Sequence, residues 1–134
     1  MRSPRTINAF DCDGVITVGI YPGPDDVIIT GRSYDERPET EQMLAKKGIK
    51  NLVHYNQLPY DEKTRTSSGV HKAQTLRVLK SNGVIVENFF EDDPVQWKII
   101  EESCPWVNVV HVVHDLTEKE NVRAPEYQNT KGTK

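Results

Sequence analysis

Short, nearly uninterrupted runs of Val and Ile alternate along this chain with segments of helical pattern, and that alternation restricts the fold more than any other feature. Residues 7–10, 27–29, 52–54, 84–86 leading into Phe89-Phe90, and 107–113 read as strands. Strands apolar on both faces are covered on both faces, as in a parallel sheet. Between them, residues 39–47 (closed by Gly48), 71–80 (closed near Asn82-Gly83) and 94–103 (opened by Pro94) read as helices. The pattern predicts an α/β domain: one open, mostly parallel, five-stranded Rossmann-like sheet with right-handed crossovers and flanking helices. One link is anomalous. The stretch from Gly14 to Asp26, with Gly19, Pro22, Gly23 and Pro24, is too short for a crossover helix, so a tight hairpin or flap is expected there. The run 55–69 reads as a solvated loop, longer than most. The domain is expected over residues 1–116, with 117–134 a polar, loosely ordered tail.

Composition narrows the function classes. Val, Ile, Leu and Phe make up about a quarter of the chain, above the ~20% below which disorder becomes the better reading. Seventeen basic against twenty acidic side chains give a net charge of −3, so no basic excess advertises nucleic-acid binding. Two cysteines, Cys12 and Cys104, make no disulfide framework and no zinc pattern. A reducing compartment, and hence the cytoplasm, is the expected location. No apolar run approaches the ~18 residues of a membrane span, so no membrane partner is expected.

In an open parallel sheet, ligands bind outside the carboxyl ends of the strands. Asp11, Cys12, Asp13 and Gly14 follow the first strand, Thr30, Gly31 and Arg32 the second, and Glu91, Asp92 and Asp93 the fourth. Lys72 stands near the start of the helix after the third. Clustered carboxylates repel unless a cation neutralises them, and a few oxygen ligands with room for water suit Mg²⁺. A hydroxyl, turn N–H groups and an ammonium are what a phosphate needs. A carboxylate held near such a cation can attack phosphorus and form an aspartyl-phosphate. The residues point to phosphoryl transfer.

The run Ile7-Asn-Ala-Phe-Asp-Cys-Asp-Gly-Val-Ile-Thr17 resembles the first motif of the haloacid dehalogenase-like (HAD) phosphohydrolases. Val27-Ile-Ile-Thr-Gly-Arg32 is similar to their second motif, Lys72 stands where the third-motif lysine is expected, and Phe89-Phe-Glu-Asp-Asp-Pro94 resembles the acidic fourth. The resemblance implies Asp11 as nucleophile and Asp13 as general acid, then base. It implies that Thr30 and Lys72 act on the phosphoryl group, with Gly31 and Arg32 beside Thr30 in substrate binding. Asp11, Asp13, Asp92 and Asp93 would hold Mg²⁺. Glu91-Asp92 competes with Asp92-Asp93 as the working pair, and Lys63 and Arg65 compete with Lys72. The short first link, and the lack of any other long insertion, imply a cap-less member.

Plainer readings stand beside these. Glu91–Asp93 before Pro94 suits an acidic helix start, Thr30 a turn cap, and Lys72 a solvated helix face. His111 and His114, three apart on a strand, point to opposite faces and cannot easily share an ion. Alternation turns Cys12 away from Asp11 and Asp13. The function expected is Mg²⁺-dependent phosphomonoester hydrolysis, on phosphorylated small molecules or nucleotides, with nucleic acid only as a substrate end. The rival is a non-catalytic phosphate-binding module. Arg32 is expected to reach the rim and pair a second anionic group, joined by Arg37, Lys63 and Arg65, or else to pair with Asp35 or Glu36 on the surface.

Overall fold

The structure is a computed structural model and describes residues 5–113; His114 and the segment 117–134 lie outside the described residues. Five strands, β1 (Arg5–Phe10), β2 (Val27–Ser33), β3 (Val53–Asn56), β4 (Val84–Glu91) and β5 (Asn108–His111), form one sheet in the order β3-β2-β1-β4-β5. Every pairing is parallel. The helices are α1 (Arg37–Lys46), α2 (Arg65–Ser81) and α3 (Pro94–Ser103). The chain steps outward from β1 to β3, then crosses back to β4 on the other side of β1. The order therefore reverses between β1 and β4, and the crevice that such a reversal opens lies at their carboxyl ends.

Two expectations about the connections are corrected. The stretch 11–26 holds no strand and so no hairpin, and its first half is a buried turn with a one-turn 3-10 helix at Ile16–Val18. Gly14 takes a positive φ of 84°, the Ile16 and Thr17 N–H groups donate to the Cys12 carbonyl at 3.0 and 3.2 Å, and Val15 and Ile16 are fully buried. Two apolar side chains that a flap would expose instead plug the core. The second correction is the run 55–69, much of which is structured. It contains a one-turn 3-10 helix at Tyr60–Glu62, and α2 begins at Arg65 instead of His71. The cause is a reciprocal cap. The Ser67 N–H donates to the Thr64 hydroxyl at 3.0 Å, and the Thr64 N–H donates to the Ser67 hydroxyl at 2.8 Å. Two orphan donors of the first turn are thereby satisfied.

Strand alternation divides the core into two layers. Ile7, Ala9, Val27 and Ile29 pack with Ala73 and Leu76 of α2 and Ile100 of α3. Phe10 and Ile28 face the other way, onto Leu44, Ile49, Val15 and Ile16. In β4 this alternation is interrupted. Ile7 pairs with Val86 but Asn8 pairs with Asn88, so Glu87 is an extra residue, a β-bulge. The bulge explains how Val86 and Phe89, three apart, enter the same core layer. It also sets the register beyond, so that Phe10 lies opposite Phe90, with their rings stacked at 4.6 Å. Asp11 then comes opposite Glu91; an unbulged ladder would have set Phe90 there.

The two helices on the first face approach closely at Gly69 of α2, where a Cβ would lie 2.9 Å from Ile99 Cδ1 and 3.2 Å from the Gln96 Cα. Among the described residues no helix is long and apolar enough to cross a membrane. Replacing Gly69 by Leu should force α2 off α3 and lower unfolding stability by about 1–3 kcal/mol, measured as a fall in the urea midpoint.

Candidate functional site

Helix α2 buries Arg65, Ser68, Gly69, Lys72, Ala73 and Leu76. These positions trace a single stripe at helical spacing, so Lys72 sits in a row that faces the sheet. Its side chain is 1% exposed. A buried ammonium is tolerated only when paired, and Lys72 has two partners: its Nζ lies 2.6 Å from Glu91 Oε1 and 3.0 Å from Asp11 Oδ1. Both carboxylates are held from behind by backbone. The Cys12 N–H donates to Asp11 Oδ1 at 2.8 Å, and the Asp92 and Asp93 N–H groups donate to Glu91 Oε2 at 3.1 Å each. Asp11, Glu91 and Asp92 each offer one oxygen, all within 4.8 Å of one another, and all three residues are buried. Three buried carboxylates that each bring one oxygen to a common point form a group that could hold a metal ion.

Asp11, Lys72 and Asp92 are thus brought together, with Glu91 as the third carboxylate. Asp93 goes elsewhere: it caps α3 by accepting from the Val95 N–H at 2.9 Å, accepts from Gln96 at 3.0 Å, and forms a buried ion pair with Arg65. Of the two acidic pairs, Glu91-Asp92 is the one that lies with Asp11. Lys63 and Arg65, which competed with Lys72, are spent on other carboxylates. Lys63 Nζ contacts Glu36 Oε2 at 2.6 Å; burial pushes its ammonium pKa down, against the opposing pull of Glu36.

Thr30 is fully buried, and its hydroxyl oxygen accepts from the Arg32 N–H at 3.0 Å. Gly31 is where α2 meets the strand end: a Cβ there would lie 2.7 Å from the Ser68 Oγ. The outward reach expected of Arg32 is not found, nor is a pair with Asp35 or Glu36. Its guanidinium turns onto Asp13, with Nε–Oδ2 at 2.9 Å and Nη2–Oδ1 at 2.7 Å, and Nη1 donates to the Thr40 hydroxyl at 3.0 Å. That contact raises the Arg32 pKa further above its usual value. The proposed cationic rim dissolves in the same way. Arg32, Arg37, Lys63 and Arg65 pair with Asp13, Glu41, Glu36 and Asp93 respectively.

Away from the cluster, Cys12 is fully buried in the apolar layer beneath the 11–26 segment. His111 stacks on Trp97 at 3.8 Å and contacts Glu101. A cleft of about 590 Å³ beside β3 is lined by Tyr34, His54, Tyr55 and His71, among others, and by none of the acidic cluster.

No family model matches the sequence, and no curated protein does. A solved structure does resemble the fold: a chain in the structure of the Pnkp1/Rnl/Hen1 RNA repair complex, with a TM-score of 0.58 and 12% sequence identity over 83% of this chain. The present chain spans 43% of the length of that one. At this identity, the likeness establishes the α/β architecture and nothing finer.

Removing the ammonium with Lys72→Met leaves Asp11 and Glu91 buried against each other. Stability measured by denaturant without added metal should fall by about 3–5 kcal/mol. A second outcome concerns His71, whose pKa burial pushes down to about 4 from 6.5. The folded chain then takes up this proton less readily than the unfolded one. The stabilisation is complete above 6.5 and lost as pH falls towards 4, on the order of 3 kcal/mol in all. Urea titrations across that window should give a shallower pH dependence in His71→Gln than in the parent.

Proposed function

We propose that this chain is a cap-less, HAD-like phosphomonoester hydrolase working through an aspartyl-phosphate on Asp11, with Mg²⁺ as its cofactor. The observation that carries this reading is the contact of Lys72 with Asp11 at the carboxyl end of the central strand, where Glu91 and Asp92 complete a three-carboxylate group. In the first step an Asp11 carboxylate oxygen attacks phosphorus, and the bond to the leaving oxygen breaks. Lys72 orients Asp11 and offsets the charge that develops on the phosphoryl oxygens. Asp13 protonates the leaving oxygen, then takes a proton from the water that cleaves the aspartyl-phosphate. The Thr30 hydroxyl and the Gly31 N–H are the groups proposed to hold phosphoryl oxygens. Asp11, Asp92 and Glu91, with the Asp13 carbonyl, would hold the Mg²⁺, which neutralises phosphate charge when bound.

The substrate class proposed is a phosphorylated small molecule or nucleotide. The fold likeness to a chain of an RNA repair complex is compatible with a phosphorylated nucleic-acid end. The ion-paired state of Arg32, Arg37, Lys63 and Arg65 speaks against a long polyanion held by charge.

Hydrolysis of p-nitrophenyl phosphate should require added Mg²⁺ and fall at least roughly a hundredfold in Asp11→Asn. Turnover indifferent to chelation, or surviving in Asp11→Asn, would overturn the reading.

A further inference from the structure

We propose that Arg32 is a positioning residue for the second half of this reaction: it aims the Asp13 carboxylate at the water that hydrolyses the phosphate on Asp11. The inference rests on the hydrolase reading above and adds a role for a residue outside the reacting set. Asp13 sits in the turn after β1, beyond the end of the strand itself. A base that takes a proton from water must be held to well within an ångström, since a misplacement of about 1 Å costs on the order of a hundredfold. Arg32 supplies that hold from the end of the neighbouring strand β2. Its planar fork meets both Asp13 oxygens, at 2.9 and 2.7 Å, a bidentate geometry that lysine cannot reproduce.

The fork is itself braced. Arg32 Nη1 donates to the Thr40 hydroxyl at 3.0 Å, and that hydroxyl donates to the Glu36 carbonyl at 2.8 Å. Thr40 is fully buried on α1. The Arg32 backbone N–H is tied to Thr30. Side chains of the pair are 20% and 28% exposed, so Asp13 reaches the edge of the site while its orientation is set from below.

p-Nitrophenyl phosphate separates the two steps. In the first, the bond from Asp11 oxygen to phosphorus forms and p-nitrophenolate leaves with the electron pair. So weakly basic a leaving group needs no proton, and the step is insensitive to where Asp13 points. In the second, water oxygen bonds to phosphorus, the electron pair of the breaking bond returns to the Asp11 carboxylate, and a water proton passes to Asp13. Misaiming Asp13 therefore slows only the second step.

Stopped-flow release of p-nitrophenol should show, in Arg32→Gln, a burst approaching one equivalent per chain. Steady turnover should then be slowed on the order of 10- to 100-fold relative to the parent. Arg32→Lys, which keeps the charge and loses the fork, should behave more like Arg32→Gln than like the parent. Burst amplitude counts folded, phosphorylated sites, so a folding defect registers as lost amplitude and not as a slow second phase. Should the Arg32 variants not fold, Thr40→Val, which removes only the brace, should still give a burst and a smaller slowing. Parent-like kinetics in the folded variants, or turnover lost without a burst in a folded variant, overturns the role of Arg32 and leaves the hydrolase reading standing. A parent chain without Mg²⁺-dependent turnover overturns both.

Discussion

The burial of one ammonium group organises this domain. Lys72 lies in the middle of the α2 stripe that packs on the sheet, and an unpaired charge at that depth would cost more than the helix gains by docking. Its pairing with Asp11 and Glu91 therefore fixes three things together. It sets where α2 sits along the sheet, demands that β1 and β4 end level with each other, and leaves their terminal carboxylates facing a common point. Asp92 joins that point because it directly follows Glu91. The Lys72 Nζ also lies 5.8 Å from the centre of the Phe89 ring, within cation–π reach.

The sheet was legible because parallel strands leave a coarse signature: runs of Val and Ile with no polar face. All five lay where those runs are, and helix α3 matched to the residue because Pro94 marks its first turn. The helix α2 start was also written in the sequence, as Thr64 and Ser67 at capping separation, but Arg65 to Gly69 lacks apolar residues and periodicity alone passes over it. Lys72 could have been found without any family likeness. Positions 65, 68, 69, 72, 73 and 76 follow one helix face, and a lysine on such a face needs a carboxylate.

Less was legible at the site, for reasons of register. Whether Asp92 pairs with Glu91 or with Asp93 depends on the bulge at Glu87, which shifts every later residue of β4 by one place against β1. The polar Glu87-Asn88 step between apolar residues was its only trace. The partner of Arg32 was invisible for a different reason. Asp13 is distant in sequence, and the two meet only because β1 and β2 are neighbours whose ends lie side by side. Nearby Asp35 and Glu36 were the natural candidates. Glu36 instead serves Lys63 and the Ser33 N–H, so each choice of partner displaces another.

The four neutralised cations bear on how any ligand arrives. A cleft ringed by uncompensated arginines casts a potential over many ångströms and draws anions in from solution, with a capture rate that falls steeply as salt is added. Here Arg32, Arg37, Lys63 and Arg65 each face a carboxylate at contact distance, so their fields cancel over a few ångströms. These four side chains therefore add no long-range pull on an anion, and what they offer a ligand at this edge is short-range donor contact.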